Sequence, residues 1–115
     1  MDIAKSFSGG QFDKCFDYLT DETVWNTPGE QNLRGRAEIE SFCKKIAAYF
    51  DSLTTDFRQL NVIADGHCIA INGTAEFIRA GKRVSFVSSC DVYEFDALDR
   101  ISSIHSYCIT ERPGG

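Results

Sequence analysis

The chain has no apolar run approaching the roughly 20 residues that a membrane span requires, and no basic start followed by an apolar segment. Those two absences predict a cytoplasmic protein with no membrane partner. Clustered positive charge is missing as well: 12 Lys and Arg are scattered among 17 Asp and Glu, for a net charge of −5. Nucleic-acid binding draws most of its affinity from grouped cations that neutralise phosphates, so this balance argues against a nucleic-acid partner. The five cysteines, at 15, 43, 68, 90 and 108, include no closely spaced pair. An odd count without such a pair fits neither a disulfide framework nor a zinc site, and predicts reduced, mostly buried thiols with no metal. Internal repeats, charge runs and low-complexity segments are also missing, apart from a short Pro-Gly-Gly tail.

What remains is ordinary for a soluble globular chain: 115 residues, 43% hydrophobic and 25% charged, bounding a single domain over 1–115 with one modest core. Met1 to Ser8 is weakly specified, with Ile3 and Phe7 as its apolar pair before Gly9-Gly10 interrupts. Phe12, Cys15, Phe16 and Leu19 then recur at the spacing of one buried helical face over Gln11 to Leu19. Thr23 to Thr27 is short and β-prone, and Pro28-Gly29 turns it into a loop that reaches Gly35. Arg36 to Leu53 carries the longest helical pattern, with Ile39, Phe42, Cys43, Ile46, Tyr49, Phe50 and Leu53 inward.

Beyond Thr55 the period changes to that of strands. Asp56 to Ala64 and His67 to Arg79 flank Asp65-Gly66, a dipeptide that tolerates the positive φ of a tight hairpin. Arg83 to Asp96, RVSFVSSCDVYEFD, has no Pro or Gly and is rich in Val, Phe, Tyr and Ser, which predicts a long central strand. Arg100 to Thr110 makes a fourth. Two helices followed by a four-stranded antiparallel meander define an α+β domain with the helices on one face of the sheet. Consecutive apolar residues such as Val62-Ile63-Ala64 and Ile69-Ala70-Ile71 ask for cover on both faces. The face without helices is thus a candidate homodimer contact, with Phe86, Tyr107 and Ile109 as members.

Asp91, between Cys90 and Val92 with aromatics nearby, defines a pocket if it points inward. Strand alternation then sends Val87, Ser89 and Tyr93 to the same side. Trp25 and Tyr93 are candidate ligand-stacking walls. His67 and His105 have neither a paired base nor metal spacing and read as surface or contact residues.

Three segments, GGQFDKCFDYLTDETVW, PGEQNLRGRAEIESF and CDVYEFDALDRISSIHSYCI, in that order and spacing, resemble the nuclear transport factor 2-like superfamily. More narrowly, they are similar to its SnoaL-like polyketide cyclase and ketosteroid isomerase branch. The resemblance implies a cystatin-like conical barrel, in which a curved, mostly antiparallel sheet wraps a helix and leaves a pocket at its open end. It also implies a homodimer and a small hydrophobic ligand, with no cofactor. Asp91 falls where ketosteroid isomerases have the carboxylic acid of their oxyanion hole, acting as acid or hydrogen-bond donor. Asn26 stands in the place of their general base, and Asn accepts no proton near neutral pH, so that activity is expected to be absent or very weak. The same comparison puts Ile104, Ser106 and Cys108 on the pocket side of the last strand, with His105 and Tyr107 facing away. Limonene epoxide hydrolase-like members hold a water-activating carboxylate pair, of which only Asp91 is matched here, with Ser89 and Ser106 in place of their Arg and second Asp.

These readings converge on a small-molecule-binding domain with an apolar pocket, an isomerase, cyclase or lyase acting on a hydrophobic carbonyl compound. Its site would join Asp91, Asn26, Trp25, Ser89, Tyr93, Ile104, Ser106 and Cys108. The alternatives are a non-catalytic binding or dimerisation module, for which Asn26 is the argument, and a protein-binding adaptor of the nuclear transport type.

Overall fold

In the computed structural model, which describes residues 2–111, the chain opens with α1 (Asp2–Ser8) and a 3-10 helix (Phe12–Tyr18). The hairpin β1 (Val24–Thr27) and β2 (Gln31–Arg34) leads into α2 (Arg36–Asp51). Four long strands follow: β3 (Thr54–Asp65), β4 (Cys68–Arg79), β5 (Lys82–Phe95) and β6 (Ile101–Glu111). They form one six-stranded sheet in the order β2-β1-β6-β5-β4-β3. All neighbours are antiparallel except β1 and β6, whose parallel register sets Trp25 beside Ile104. The sheet curves around the helices, giving the α+β conical barrel that the sequence resemblance implied. The Pro-Gly-Gly tail lies outside the described residues.

Curvature comes from irregular pairing. Each register shift leaves one residue unpaired, Leu60 in β3 against β4, Val84 in β5 against β4 and Ser102 in β6 against β5, and each such bulge bends its strand and raises the local twist. The two-residue turns sharpen the fold-back: Ala80 and Gly81 both have positive φ, at 52° and 77°, as a type I′ turn demands. The core gathers on the concave side, where Ile39 and Cys43 of α2 meet Ile71, Tyr93, Ile101 and Ile104, all at 1% exposure or less. Thr23, fully buried, donates its hydroxyl to the Ile101 carbonyl at 2.6 Å and fastens the start of β1 to β6.

Several elements differ from the sequence reading. The weakly specified N-terminus is a helix, because Ala4 and Phe7 find a core to enter. A seven-residue helix has little stability of its own, so its packing partners decide. Phe12 to Tyr18 winds as a 3-10 helix, burying Phe12 and Cys15 at the i, i+3 spacing that this tighter helix brings into line. The loop before Gly35 contains β2, which pairs with β1 over four residues. Only Leu33 of β2 packs against the core, so no alternating pattern announced it. The first long hairpin turns at Gly66-His67, one residue later than expected, since Asp65 and Cys68 are still paired and Gly66 supplies the positive φ of 59°. All five cysteines are free; Cys15 and Cys43 are buried, whereas Cys68 and Cys90 are half-buried and Cys108 is exposed. No helix among the described residues is long and apolar enough to cross a membrane.

Candidate functional site

The concave side of the sheet and the helices enclose a cavity of about 370 Å³. Strand alternation furnishes its polar floor: β5 sends in Val87, Ser89 and Asp91, while β6 sends in Ser106, Cys108 and Thr110. These face each other in register, Asp91 opposite Ser106 and Ser89 opposite Cys108. The remaining wall is aromatic. Phe7, Phe12, Trp25, Phe42, Phe50, Phe57 and Phe77 line it from seven places in the chain, with edge contacts such as Phe7 to Trp25 at 4.9 Å between centroids. Glu30, Tyr49, Arg58 and Gln59, all exposed, mark the opening.

Asp91 is the hub of a hydrogen-bond network. Ser8 Oγ donates to Asp91 Oδ2 at 2.7 Å and lies 2.6 Å from the Tyr93 hydroxyl. Ser106, the register partner of Asp91 on β6, also favours the charged carboxylate through its hydroxyl. Ser106 in turn accepts from Trp25 Nε1 at 3.0 Å. Desolvation dominates the carboxyl's titration and raises its pKa, while the Ser106 and Ser8 hydroxyls pull the other way by favouring the charged form. No cation contributes. Burial, reinforced by the Asp91 charge, pushes the Tyr93 phenol well above its ordinary pKa, so it stays protonated. The Cys108 thiol is pushed up to about 11 by desolvation, then by Asp91 and Glu30, which leaves it a poor nucleophile at neutral pH. Among the described residues no group of three or more His, Cys, Asp or Glu is placed to hold a metal ion.

Five of the eight site residues expected from the sequence line this cavity: Asp91, Ser89, Ser106, Cys108 and Trp25. Tyr93 sits behind the lining with its hydroxyl on Ser8, and Ile104 is fully buried core. Asn26 does not join them. Trp25 and Thr27 on either side of it line the cavity, so alternation turns Asn26 to the outer face, where its register partners are Asn32 and His105. Ser8 was not anticipated, nor was the aromatic wall beyond Trp25. Ser8 stands alone before two glycines, and nothing local marks it as a pocket residue. The other aromatics of the wall carried a signal only as helix and strand core positions.

A barrel of this curvature, open at one end over a polar floor, defines a protein of the nuclear transport factor 2-like class. The chain belongs to the SnoaL-like domain family, whose model matches residues 3–104. Among solved structures it is similar to an NTF2-like protein of unknown function from Cytophaga hutchinsonii, at 36% identity, 94% coverage of both chains and a TM-score of 0.84. More distant similarities in fold are to an LEH-like epoxide hydrolase of M. tuberculosis, at 21% identity over 91% of this chain and 75% of that one, with a TM-score of 0.66. A third is the epoxide hydrolase/cyclase-like enzyme SalBIII, which acts in pyran ring formation in salinomycin: 15% identity, 96% and 90% coverage, TM-score 0.73. No curated protein matches the chain by sequence.

Proposed function

We propose that the chain binds a compact hydrophobic carbonyl compound in this cavity, with isomerase, cyclase or lyase chemistry as its reaction class and Asp91 as the acid or hydrogen-bond donor. The observation that carries the reading is the setting of Asp91: a carboxyl inside an aromatic cavity, its pKa raised by desolvation, with no cation paired to it among the described residues. Such a group takes up a proton more readily than a solvated Asp and then donates to a ligand oxygen, where charge develops during enolisation or ring closure. Ser89 and Ser106 offer orienting hydroxyls, and Trp25 offers a flat wall. The volume suits a small ligand of two or three rings. The fold similarity to an epoxide hydrolase and to a cyclase-like enzyme supports a reaction class in which a donor polarises an oxygen.

A second reading, a binding module without catalysis, is favoured by one observation. Asp91 and Glu30 are the carboxylates of the lining, Glu30 lies exposed at the opening, and no imidazole joins them among the described residues. A donor without a nearby base holds a carbonyl without moving its α-proton.

Trp25, the only tryptophan of the chain, reports on occupancy. Titrating its emission with 2-acetylnaphthalene and with the isosteric anion 2-naphthoate should show binding of the ketone and none of the carboxylate. Asp91→Leu should weaken the ketone by about tenfold, the worth of one hydrogen bond, while Asp91→Asn retains binding through its amide N–H. Preference for the anion, or indifference to Asp91→Leu, would overturn the assignment.

We also propose a homodimer through the outer face of the sheet. Ile63, Tyr107 and Ile109 are 66%, 52% and 71% exposed. Register carries Ile63 through Ala70 to Val92, and Cys90 lies opposite Tyr107, so apolar residues of all four strands share this face, with His105 and Ser88 between them. Phe86 contributes less, because the Arg83 guanidinium lies over its ring at 5.0 Å. Sedimentation at micromolar concentration should give a dimer, and Tyr107→Glu with Ile109→Lys a monomer. A monomeric wild type would remove the proposal.

A further inference from the structure

The contact of Ser8 with both Asp91 and Tyr93 sets a problem of proton count. A serine hydroxyl has one hydrogen, so its two short contacts, 2.7 Å to Asp91 Oδ2 and 2.6 Å to the Tyr93 hydroxyl, cannot both be donations. When Ser8 donates to Asp91, Tyr93 donates to Ser8, and every hydrogen in the chain has an acceptor. In the reverse order Asp91 carries its proton on Oδ2 and gives it to Ser8, and Ser8 gives its own to the Tyr93 oxygen. The phenol hydrogen is then stranded. Tyr93 is at 0% exposure and Ser8 is its only hydroxyl partner among the described residues, so a stranded donor there is costly.

We infer that Ser8 and Tyr93 form a positioning pair that reserves Oδ2 of Asp91 as an acceptor, so that the proton Asp91 takes up resides on Oδ1. This rests on the reading of Asp91 as a hydrogen-bond donor and deepens it by specifying which oxygen donates. The pair makes an otherwise symmetrical carboxyl directional, and it does so from α1, an element that no strand pattern links to β5. On the far side, the Trp25 indole can only donate, which makes Ser106 an acceptor from it at 3.0 Å.

The titratable groups interacting with this cluster are few. Tyr93 shares β5 with Asp91, and Cys108, opposite Ser89 on β6, feels the Asp91 charge. Cys15 of the 3-10 helix and Cys43 of α2 act on Tyr93, and both thiols are pushed up, to about 11 and about 12, so they are uncharged. α1, β1 and β4 present Ser8, Trp25 and Ile71, none of which titrates.

The test is a carbon-13 carboxyl titration of Asp91 in the wild type, Ser8→Ala, Tyr93→Phe and the double variant, with melting curves as the folding control. Ser8→Ala should raise the proton affinity of Asp91 by about tenfold, because a hydrogen bond to the charged form is lost. Tyr93→Phe should raise it by about threefold, because Ser8 is freed to accept a proton from Oδ2. In the Ser8→Ala background Tyr93→Phe should add nothing, since its influence passes through the Ser8 hydroxyl. Ser8→Thr should restore the wild-type midpoint, which a purely structural role would not require. Equal effects of Tyr93→Phe with and without that hydroxyl, or an unmoved midpoint in Ser8→Ala, would overturn the pair. Neither arm uses a ligand, so coupling without ketone binding keeps the pair and removes the carbonyl reading, whereas ketone binding without coupling does the reverse.

Discussion

Gly73→Ala should lower the melting temperature by about 15 °C. A Cβ built on Gly73 overlaps the Arg58 carbonyl oxygen and lies 3.3 Å from the Gln59 Cα, both backbone atoms of the neighbouring strand β3. Side chains rotate away from such contacts, but a paired strand cannot. The clash falls where β3 shifts register between Gln59 and Asn61, the bulge that brings the two backbones close and curves the sheet over the cavity. Overpacking of this kind costs about 3 kcal/mol, and each kcal/mol moves the midpoint of a domain near this size by roughly 4–8 °C. Because Gly73 lines the cavity opposite Ser89, the variant should also perturb ketone binding. Thermal unfolding followed by circular dichroism decides it; a drop of only two or three degrees would mean that the bulge relaxes and that glycine is not required there.

Asp91→Asn should stabilise the protein at about pH 8 by roughly 5 °C and leave it unchanged at about pH 3, where solvated and buried carboxyls are both protonated. Desolvation raises the folded pKa of Asp91 above its unfolded value. Its stabilising contribution is therefore full below the unfolded pKa and is lost as pH rises through the folded pKa. Asn keeps a partner for Ser8 and Ser106 without the charge. Asp96 acts in the opposite sense, its pKa lowered first by the Arg100 backbone N–H and also by that of Leu98, so its contribution is present above the ordinary carboxylate range and lost on acidification. Comparing wild type with Asp91→Asn at each pH cancels that term. Destabilisation by Asp91→Asn at alkaline pH would identify a carboxylate held by its hydroxyl donors, and the case for a catalytic acid would fall with it.

Much of the site was legible because β5 and β6 are regular across it. Over Val87 to Tyr93 and Ile104 to Thr110 the pairing runs without a bulge, so a period of two keeps Ser89 with Asp91 and Ser106 with Cys108, while the family resemblance put both pairs on one side. The same rule, applied to β1, would have removed Asn26 from that set: Trp25 and Asn26 are adjacent and cannot both face the cavity. Spacing taken from relatives placed Asn26 where alternation does not. Ser8 could not have been found, since its role depends on a helix that exists only because Ala4 and Phe7 have somewhere to pack.

The sequence by itself determined the period of each long element, the single core, the α+β class and the one carboxyl set among apolar neighbours. Those follow from local alternation and composition, which every residue carries with it. Tertiary structure alone decided that α1 forms, that β2 pairs at the edge and that Ser8 joins Asp91 to Tyr93 across 83 and 85 residues of chain. A short helix or a four-residue strand gains too little from its own hydrogen bonds to repay the entropy of ordering it, so whether it exists depends on surfaces that distant segments provide.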